Sequence, residues 1–218
     1  MITIAFVHVG EESILPASMV ASVRRAMPAA RIVHLTDEGT NAVVGVDEVV
    51  RLKYDGVHLM TFRLRHFAQL DSCDAIMLDT DVVVQKDLSP IFALEFDVAL
   101  TRRDDAIPDP TGQDVSALMP YNTGVMVSRA SGWDFWRNAS AYCEMLPAEH
   151  REWWGDQLSV QAMAQICPLR LRELPCAVYN YTPTSEAEDV ADRFVVHYKG
   201  KRKQWMLSRA RAEFDLSF

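Results

Sequence analysis

No apolar run in this chain approaches the roughly 18 residues needed to cross a bilayer; the longest are strand-sized. Cysteine is scarce, and Cys73, Cys143, Cys167 and Cys176 fall at no CxxC or zinc-finger spacing. That speaks against structural zinc and a disulfide framework and reads as four reduced thiols. The N-terminus, Met1-Ile-Thr-Ile-Ala-Phe-Val-His, lacks the basic region and long apolar segment of a secretory signal, so the expected location is cytoplasmic. Positive charge is in the minority. With 22 Lys+Arg against 30 Asp+Glu the net charge is −8, a balance ill-suited to gripping nucleic acid or anionic membrane over the whole surface. Internal repeats and low-complexity stretches are absent too.

What is present is 218 residues, 49% of them apolar. A chain of that size forms a single domain over 1–218, burying roughly 70% of its unfolded surface without staples.

Ile2 to Val9 reads as a strand, followed by a loop and a helix from a Ser13 cap to about Met27. Arg31 to Leu35 and Val43 to Leu52 contain two more strands, Thr61 to Leu70 a helix with Phe62, Leu64, Phe67 and Leu70 inward, and Ala75 to Leu78 a fourth strand. Strands alternating with helices predict an α/β fold with a mostly parallel sheet covered on both faces. Further strand-like runs lie at Asp97–Leu100, Gly124–Val127, Val178–Tyr181 and Phe194–His197, with helices at Ser131–Met145 and Asp156–Ile166. Arg102 to Pro120 holds three prolines, the cluster Arg102-Arg103-Asp104-Asp105 and the acids Asp109 and Asp114. It reads as a surface loop of lid or binding-loop length.

Asp79 and Asp81 follow the apolar Ala75–Leu78 run. This places them at the carboxyl end of a strand, where open α/β sheets bind ligands. Residues two apart on a strand point the same way, so both carboxylates can converge on one cation. Left unpaired they would repel each other, a cost that a divalent metal removes. The alternative is a turn cap beside a solvated acid; chance alone gives roughly 1.5 DxD pairs among so many aspartates, and the context must decide.

Three further segments supply context. Phe62-Arg63-Leu64 precedes Ile76-Met-Leu-Asp79-Thr80-Asp81-Val-Val-Val; Tyr121-Asn122-Thr123-Gly124-Val125-Met126 follows; and His197-Tyr-Lys-Gly200-Lys-Arg-Lys203-Gln-Trp205 closes the set. From about Arg63 to Trp205 the chain resembles the glycosyltransferases of family 8, the retaining, metal-dependent GT-A-fold group that includes glycogenin and bacterial lipooligosaccharide galactosyltransferases. The segments are similar to the family's Arg-Leu helix, Leu-Asp-x-Asp strand, Asn-Ser/Ala-Gly-Val strand and H-x-x-G-x-x-K-x-W signature. The last, nine residues long, is the most specific.

The resemblance implies a Rossmann-like GT-A fold and transfer of a hexose from a nucleotide sugar, with uridine diphosphate the expected carrier, to a saccharide or other hydroxyl acceptor. It implies Asp79, Asp81 and His197 as ligands of Mn²⁺ or Mg²⁺, with Thr80 inside the acidic pair. Gly200 and Lys203 would bind the donor's phosphates, Asn122 and Gly124 would line the sugar pocket, and Arg63 would contact the donor sugar, with Arg65 as its rival. Gly155-Asp156-Gln157 resembles the family's Asp-Gln-Asp segment beside donor and acceptor, with Leu158 in place of the third acid. Where the family has an Asp and a Tyr after the first strand, this chain has His8-Val9-Gly10-Glu11-Glu12. The Arg102–Pro120 loop is the candidate lid. The long basic, aromatic tail that tethers some relatives to membranes has no counterpart after Trp205. Two other readings remain open: a haloacid dehalogenase-type phosphatase with Asp79 as nucleophile, and a nucleotide-sugar binding module without turnover. Paired tryptophans at 133 and 136 and at 153 and 154 read as core or as sugar-stacking surfaces.

Overall fold

A computed structural model describes residues 1–11, 14–56, 58–70, 73–108, 111–152, 154–167 and 169–214, without the side chains of Arg211, Glu213 and Phe214. Glu12, the expected cap Ser13, Asp109 and Trp153 lie outside the described residues.

The strands are β1 (Thr3–Val7), β2 (Arg31–Thr36), β3 (Glu48–Arg51), β4 (Ala75–Leu78), β5 (Val82–Val84), β6 (Val98–Arg102), β7 (Tyr121–Ser128), β8 (Leu171–Pro175) and β9 (Val195–His197). The α-helices are α1 (Ile14–Ala26), α2 (Leu59–Phe67), α3 (Trp133–Met145), α4 (Ala148–Arg151), α5 (Gly155–Ile166), α6 (Cys176–Tyr179) and α7 (Lys203–Phe214). Seven strands form one sheet in the order β3-β2-β1-β4-β7-β6-β8. All its pairings are parallel except the two made by β7. The predicted mostly parallel sheet is therefore present, and the β1–α1–β2 crossover supplies its start.

Period-two alternation sends side chains to both faces. Ile4, Phe6, Ile76, Leu78, Val125 and Val127 pack with α1, α7 and a separate β5–β9 ribbon. Ala5, Ala75, Met77 and Met126 pack with α2, α3 and α5. Trp133 and Trp136 are buried in that second layer, edge-on to Phe67 at 5.3 and 4.8 Å between ring centres. They are core, not a sugar platform. All four cysteines are free, and among the described residues no helix is long and apolar enough to cross a membrane.

Two elements differ from the sequence reading. Val178–Tyr181 is not a strand. Pro175, with φ −66°, starts a single helical turn, α6, closed by the Asn180 N–H on the Cys176 carbonyl at 2.9 Å. A four-residue apolar run carries too little pattern to fix a strand against the turn that follows β8. Only Tyr181 keeps a strand contact, an isolated bridge to Val196. The Val43–Leu52 run shrinks to β3, because Gly45, at φ +89°, turns the chain first.

Candidate active site

The β4–β5 turn and the β5–β9 ribbon build the site. β4 ends at Leu78, and the Asp79 N–H is held by the Gly124 carbonyl of β7 at 3.0 Å. Thr80 turns the chain, half-buried. Val82 then pairs opposite His197, and the Tyr198 N–H donates to the Asp81 carbonyl at 2.8 Å. This ribbon joins residues more than a hundred positions apart. Asp79, Asp81 and His197 each offer a ligand atom, all within 4.8 Å of one another.

The polarity of His197 follows from its neighbours. The Asn180 amide nitrogen donates to Thr101 Oγ1 at 2.7 Å and to Asn122 Oδ1 at 2.9 Å, which leaves Asn180 Oδ1 as an acceptor for His197 Nδ1 at 2.8 Å. Nδ1 therefore carries the proton, and Nε2 faces Asp81 Oδ1 at 3.1 Å and Asp79 Oδ2 at 3.5 Å. A neutral imidazole would aim a lone pair at two carboxylates. Such a set needs a proton or a cation, and an imidazole oriented through its other nitrogen is the arrangement that metal sites use. One imidazole with two carboxylates suits Mn²⁺ or Mg²⁺. The residues present thus fit a divalent ion.

Gly124 makes room for this ring. A Cβ there would sit less than 3.0 Å from His197 Cε1 and Nδ1 and from Asn122 Oδ1, while its own N–H donates to that Oδ1 at 2.8 Å. Asn122 and Gly124 thereby support the histidine.

Arg63 and Arg65 separate cleanly. Arg65 is exposed on α2 and pairs with Glu144 at 2.9 Å. Arg63 is buried and bridges Asp79 Oδ1 at 2.8 Å and Asp156 Oδ2 at 3.1 Å, with a further bond to the Thr123 carbonyl. Asp156, near the start of α5, is fully enclosed. Its Oδ2 also accepts from Thr123 Oγ1 at 2.8 Å, and its Oδ1 from the Gln157 N–H at 2.8 Å. Burial pushes its pKa up, opposed by Arg63 and Thr123. For Asp81 burial also acts upward, but His197 and Lys203 together hold it at about 2. Lys203 reaches Asp81 Oδ2 at 3.3 Å. Gly200 takes φ +60° at the turn before α7, a conformation that favours glycine.

Three residues at the site had no role assigned from sequence. Asn180 orients His197 but belongs to the segment misread as a strand. Arg103, just after β6, donates to Gln157 Oε1 and through Nε to the Met119 carbonyl at 3.1 Å. Lys199 was visible only as one member of the basic run Lys199, Lys201, Arg202, Lys203, Arg209 and Arg211. Burial lowers the pKa of both cations, and proximity to Arg103 lowers that of Lys199 further. The rest of the basic run disperses: Arg202 donates to the Pro183 carbonyl at 2.7 Å, Arg209 lies near Gln85, and the Arg211 side chain is outside the described residues.

A cavity of about 560 Å³ opens at the ends of β1 and β2, lined in part by His8, Val9, Gly10, Asp37 and Thr40. The 103–120 loop folds on itself: Pro108 bridges Asp114, and the Val115 N–H bonds the Ile107 carbonyl at 2.8 Å.

No protein-family model and no curated protein sequence matches the chain. Solved structures do. The galactosyltransferase LgtC, in complex with donor and acceptor sugar analogues, is similar at 15% identity and a TM-score of 0.63, over 96% of this chain and 94% of that one. A glycosyltransferase involved in glycosylation of the major capsid of PBCV-1 is similar at 16% identity and a TM-score of 0.66, over 97% and 98%. The chain has the GT-A glycosyltransferase fold. GlyE of Streptococcus pneumoniae TIGR4 shares it at 15% identity and a TM-score of 0.57, over 98% of this chain and 62% of its own. On this GT-A scaffold the acidic pair, His197 and the β1–β2 cavity share the carboxyl-end edge of the parallel strands, the usual ligand edge of such sheets.

Proposed function

We propose that the protein is a metal-dependent glycosyltransferase that moves a hexose from a nucleotide sugar, with uridine diphosphate the expected carrier, to a saccharide or other hydroxyl acceptor with retention of configuration. The observation that carries this reading is the convergence of Asp79, Asp81 and His197 on a GT-A fold, with His197 Nε2 turned onto both carboxylates by Asn180. LgtC was solved with donor and acceptor sugar analogues, which supports a two-substrate site. A divalent ion held by the three residues supplies charge stabilisation for the departing diphosphate.

The chain's own groups do the rest. Lys203, about half exposed and beside Asp81, binds the diphosphate, and the left-handed Gly200 lets the backbone approach it. Arg63 holds Asp79 and Asp156 in place and faces the sugar. Gln157, fixed by Arg103, stands between sugar and acceptor. A double displacement needs an approachable carboxylate, and both oxygens of Asp156 are engaged in an enclosed position. That supports attack on the leaving-group face. The bond from the anomeric carbon to the diphosphate oxygen breaks, the acceptor oxygen bonds to that carbon from the same side, and the acceptor proton goes to the departing oxygen. The 103–120 loop excludes water, so deleting residues 105–117 should impair transfer more than donor binding. The structure adds a reason to set the phosphatase aside: the metal-competent group containing Asp79 is completed by His197, and Asp79 Oδ1 is bound by Arg63 rather than free to attack.

The test incubates the protein with Mn²⁺, a panel of nucleotide sugars and simple phosphate esters. Metal-dependent release of nucleoside diphosphate is the expected result. Orthophosphate from the esters would establish the phosphatase instead, and tight donor binding without release the binding module.

A further inference from the structure

A smaller cavity, of about 250 Å³, opens beside α2 and is lined in part by Tyr54, Asp55, His58, Arg65, Glu144 and Arg151. α2 ends shortly before β4 begins, and β4 runs parallel to β1. The first turn of α2, and the cavity with it, therefore stand at the carboxyl-end edge of the sheet. Thr61 and Phe62 form the cavity's α2 wall, while the next residue, Arg63, is turned to Asp79 and Asp156. Thr61 Oγ1 meets Cys143 Sγ at 3.4 Å, and a Cβ on Gly155 would lie 3.0 Å from that sulfur. Gly155 adjoins Asp156 and Gln157 in the chain. A single layer of side chains thus separates this cavity from the reacting end of the site. Trp154, 39% exposed, caps α5 between Arg151 and Asp156.

The lining carries both signs of charge and unpaired polar atoms. Arg65 is already neutralised by Glu144 at 2.9 Å. Arg151 Nε and His58 Nδ1 are closed to solvent and have no hydrogen-bond partner. Polar atoms left that way carry a desolvation cost, which a small turn of either side chain toward a ligand group in the cavity removes. An anion entering here would meet Asp55 and Glu144, and a cation would meet Arg65 and Arg151. A polyhydroxyl ligand meets no such opposition: each hydroxyl both donates and accepts, whereas a guanidinium only donates and a carboxylate only accepts. The volume falls just under the roughly 300 Å³ at which sites for drug-sized ligands begin, which suits one sugar ring. Tyr54, its ring 4.6 Å from that of Phe62, offers an aromatic wall with a polar tip.

We propose that this cavity receives one sugar unit of the acceptor, so that the acceptor is an oligosaccharide rather than a lone monosaccharide or a protein hydroxyl. This rests on the transferase reading above and deepens it by naming the acceptor class. The accepting unit lies at Gln157, and the next unit passes the exposed Trp154 into the cavity, where His58 and Arg151 meet its hydroxyls.

The experiment uses the full chain in two arms. In the first, without metal or nucleotide sugar, saturation-transfer NMR follows methyl glucoside, methyl galactoside, maltose and lactose. At least one should bind. Arg151→Met and His58→Ala, each shown to be folded by thermal melting, should weaken that binding by about 10-fold, the worth of one hydrogen bond. Absence of binding by every sugar overturns the proposal, as does binding unchanged in both variants. Inorganic phosphate held there in preference to every sugar overturns it as well, by making the cavity an anion site. In the second arm, with Mn²⁺ and the nucleotide sugar that the donor panel identifies, kcat/KM should favour maltose over methyl glucoside, or lactose over methyl galactoside, by on the order of 10-fold. Arg151→Met should bring that ratio toward one. Equal use of disaccharide and monosaccharide in both pairs overturns the proposal. Complete absence of metal-dependent nucleoside diphosphate release removes the transferase reading and the acceptor role with it, and sugar binding that persists in the first arm tells this failure from the others.

Discussion

Three of the six histidines are buried, and the contrast between their two environments separates structure from chemistry. His34 on β2 and His66 on α2 sit in the interior against backbone. His34 Nε2 meets the His8 carbonyl at 3.2 Å, and His66 Nε2 the Thr36 carbonyl at 2.8 Å. No acid faces either ring through these bonds, and burial pulls both pKa values down to about 4. His197 is as deeply buried, yet it points at two carboxylates and is oriented from behind by an amide. Burial alone therefore does not mark a ligand histidine. What sets His197 apart is an unbalanced set of opposing groups that an ion would complete.

The strongest way to break this contrast is to change the His197 corner. Asp79→Asn, Asp81→Asn and His197→Ala should each lower metal-dependent release of nucleoside diphosphate by roughly 10²- to 10³-fold, the usual cost of removing one preorganised electrostatic group. Wild-type turnover by any of them would remove the metal assignment. Next comes the cradle. Gly124→Ala forces the His197 ring aside and should weaken Mn²⁺ binding, read by titration calorimetry, along with melting temperature. Asn180→Ala, which frees Nδ1, should cost about 10- to 100-fold in metal affinity. If Gly124→Ala binds Mn²⁺ as the wild type does, the ring does not need that space.

The interior histidines predict a pH effect of the opposite kind. Their folded pKa values lie below the unfolded value of 6.5, so below that pH the unfolded chain takes up protons that the folded chain refuses. Their contribution to stability is complete above pH 6.5 and is lost as pH falls toward 4, by about 1 kcal/mol per pH unit from each. Urea midpoints measured at intervals between pH 7 and 4 should show this slope, and His66→Gln should flatten it. A wild-type midpoint constant over that range would show that these rings titrate normally. Smallest of all is Arg65→Ala, which removes an exposed pair with Glu144. It should change stability by less than about 1 kcal/mol and leave donor cleavage intact; a large loss of cleavage would make Arg65, not Arg63, the arginine that serves the donor sugar.

Much of the fold was legible because its signals are local. The β4 run Ala75–Leu78 was read with its observed bounds, and α3 and α5 nearly so. Failures fell where pattern was short or the partner distant. β8 alternates weakly and is half exposed, so Leu171–Pro175 left no trace. β5, three valines, carries no period that tells it from a continuation of β4. The choice between Arg63 and Arg65 was not legible either. Both sit on one amphipathic helix, and only the approach of β7 and α5 buries the first.

The amino-acid sequence by itself determined the alternating elements, the mixed α/β class and the acidic pair at a strand's end, since side-chain period and turn chemistry act over a few residues. Tertiary structure decided how His197, named beside that pair only through the family resemblance, comes to meet it. Pairing Val82 with His197 closes a loop of more than a hundred residues, and no local preference encodes such a contact. The same closure brings Asn180 onto the His197 ring. The physical reason is that charge and hydrogen-bond partners act through space, at distances that only the packed sheet sets.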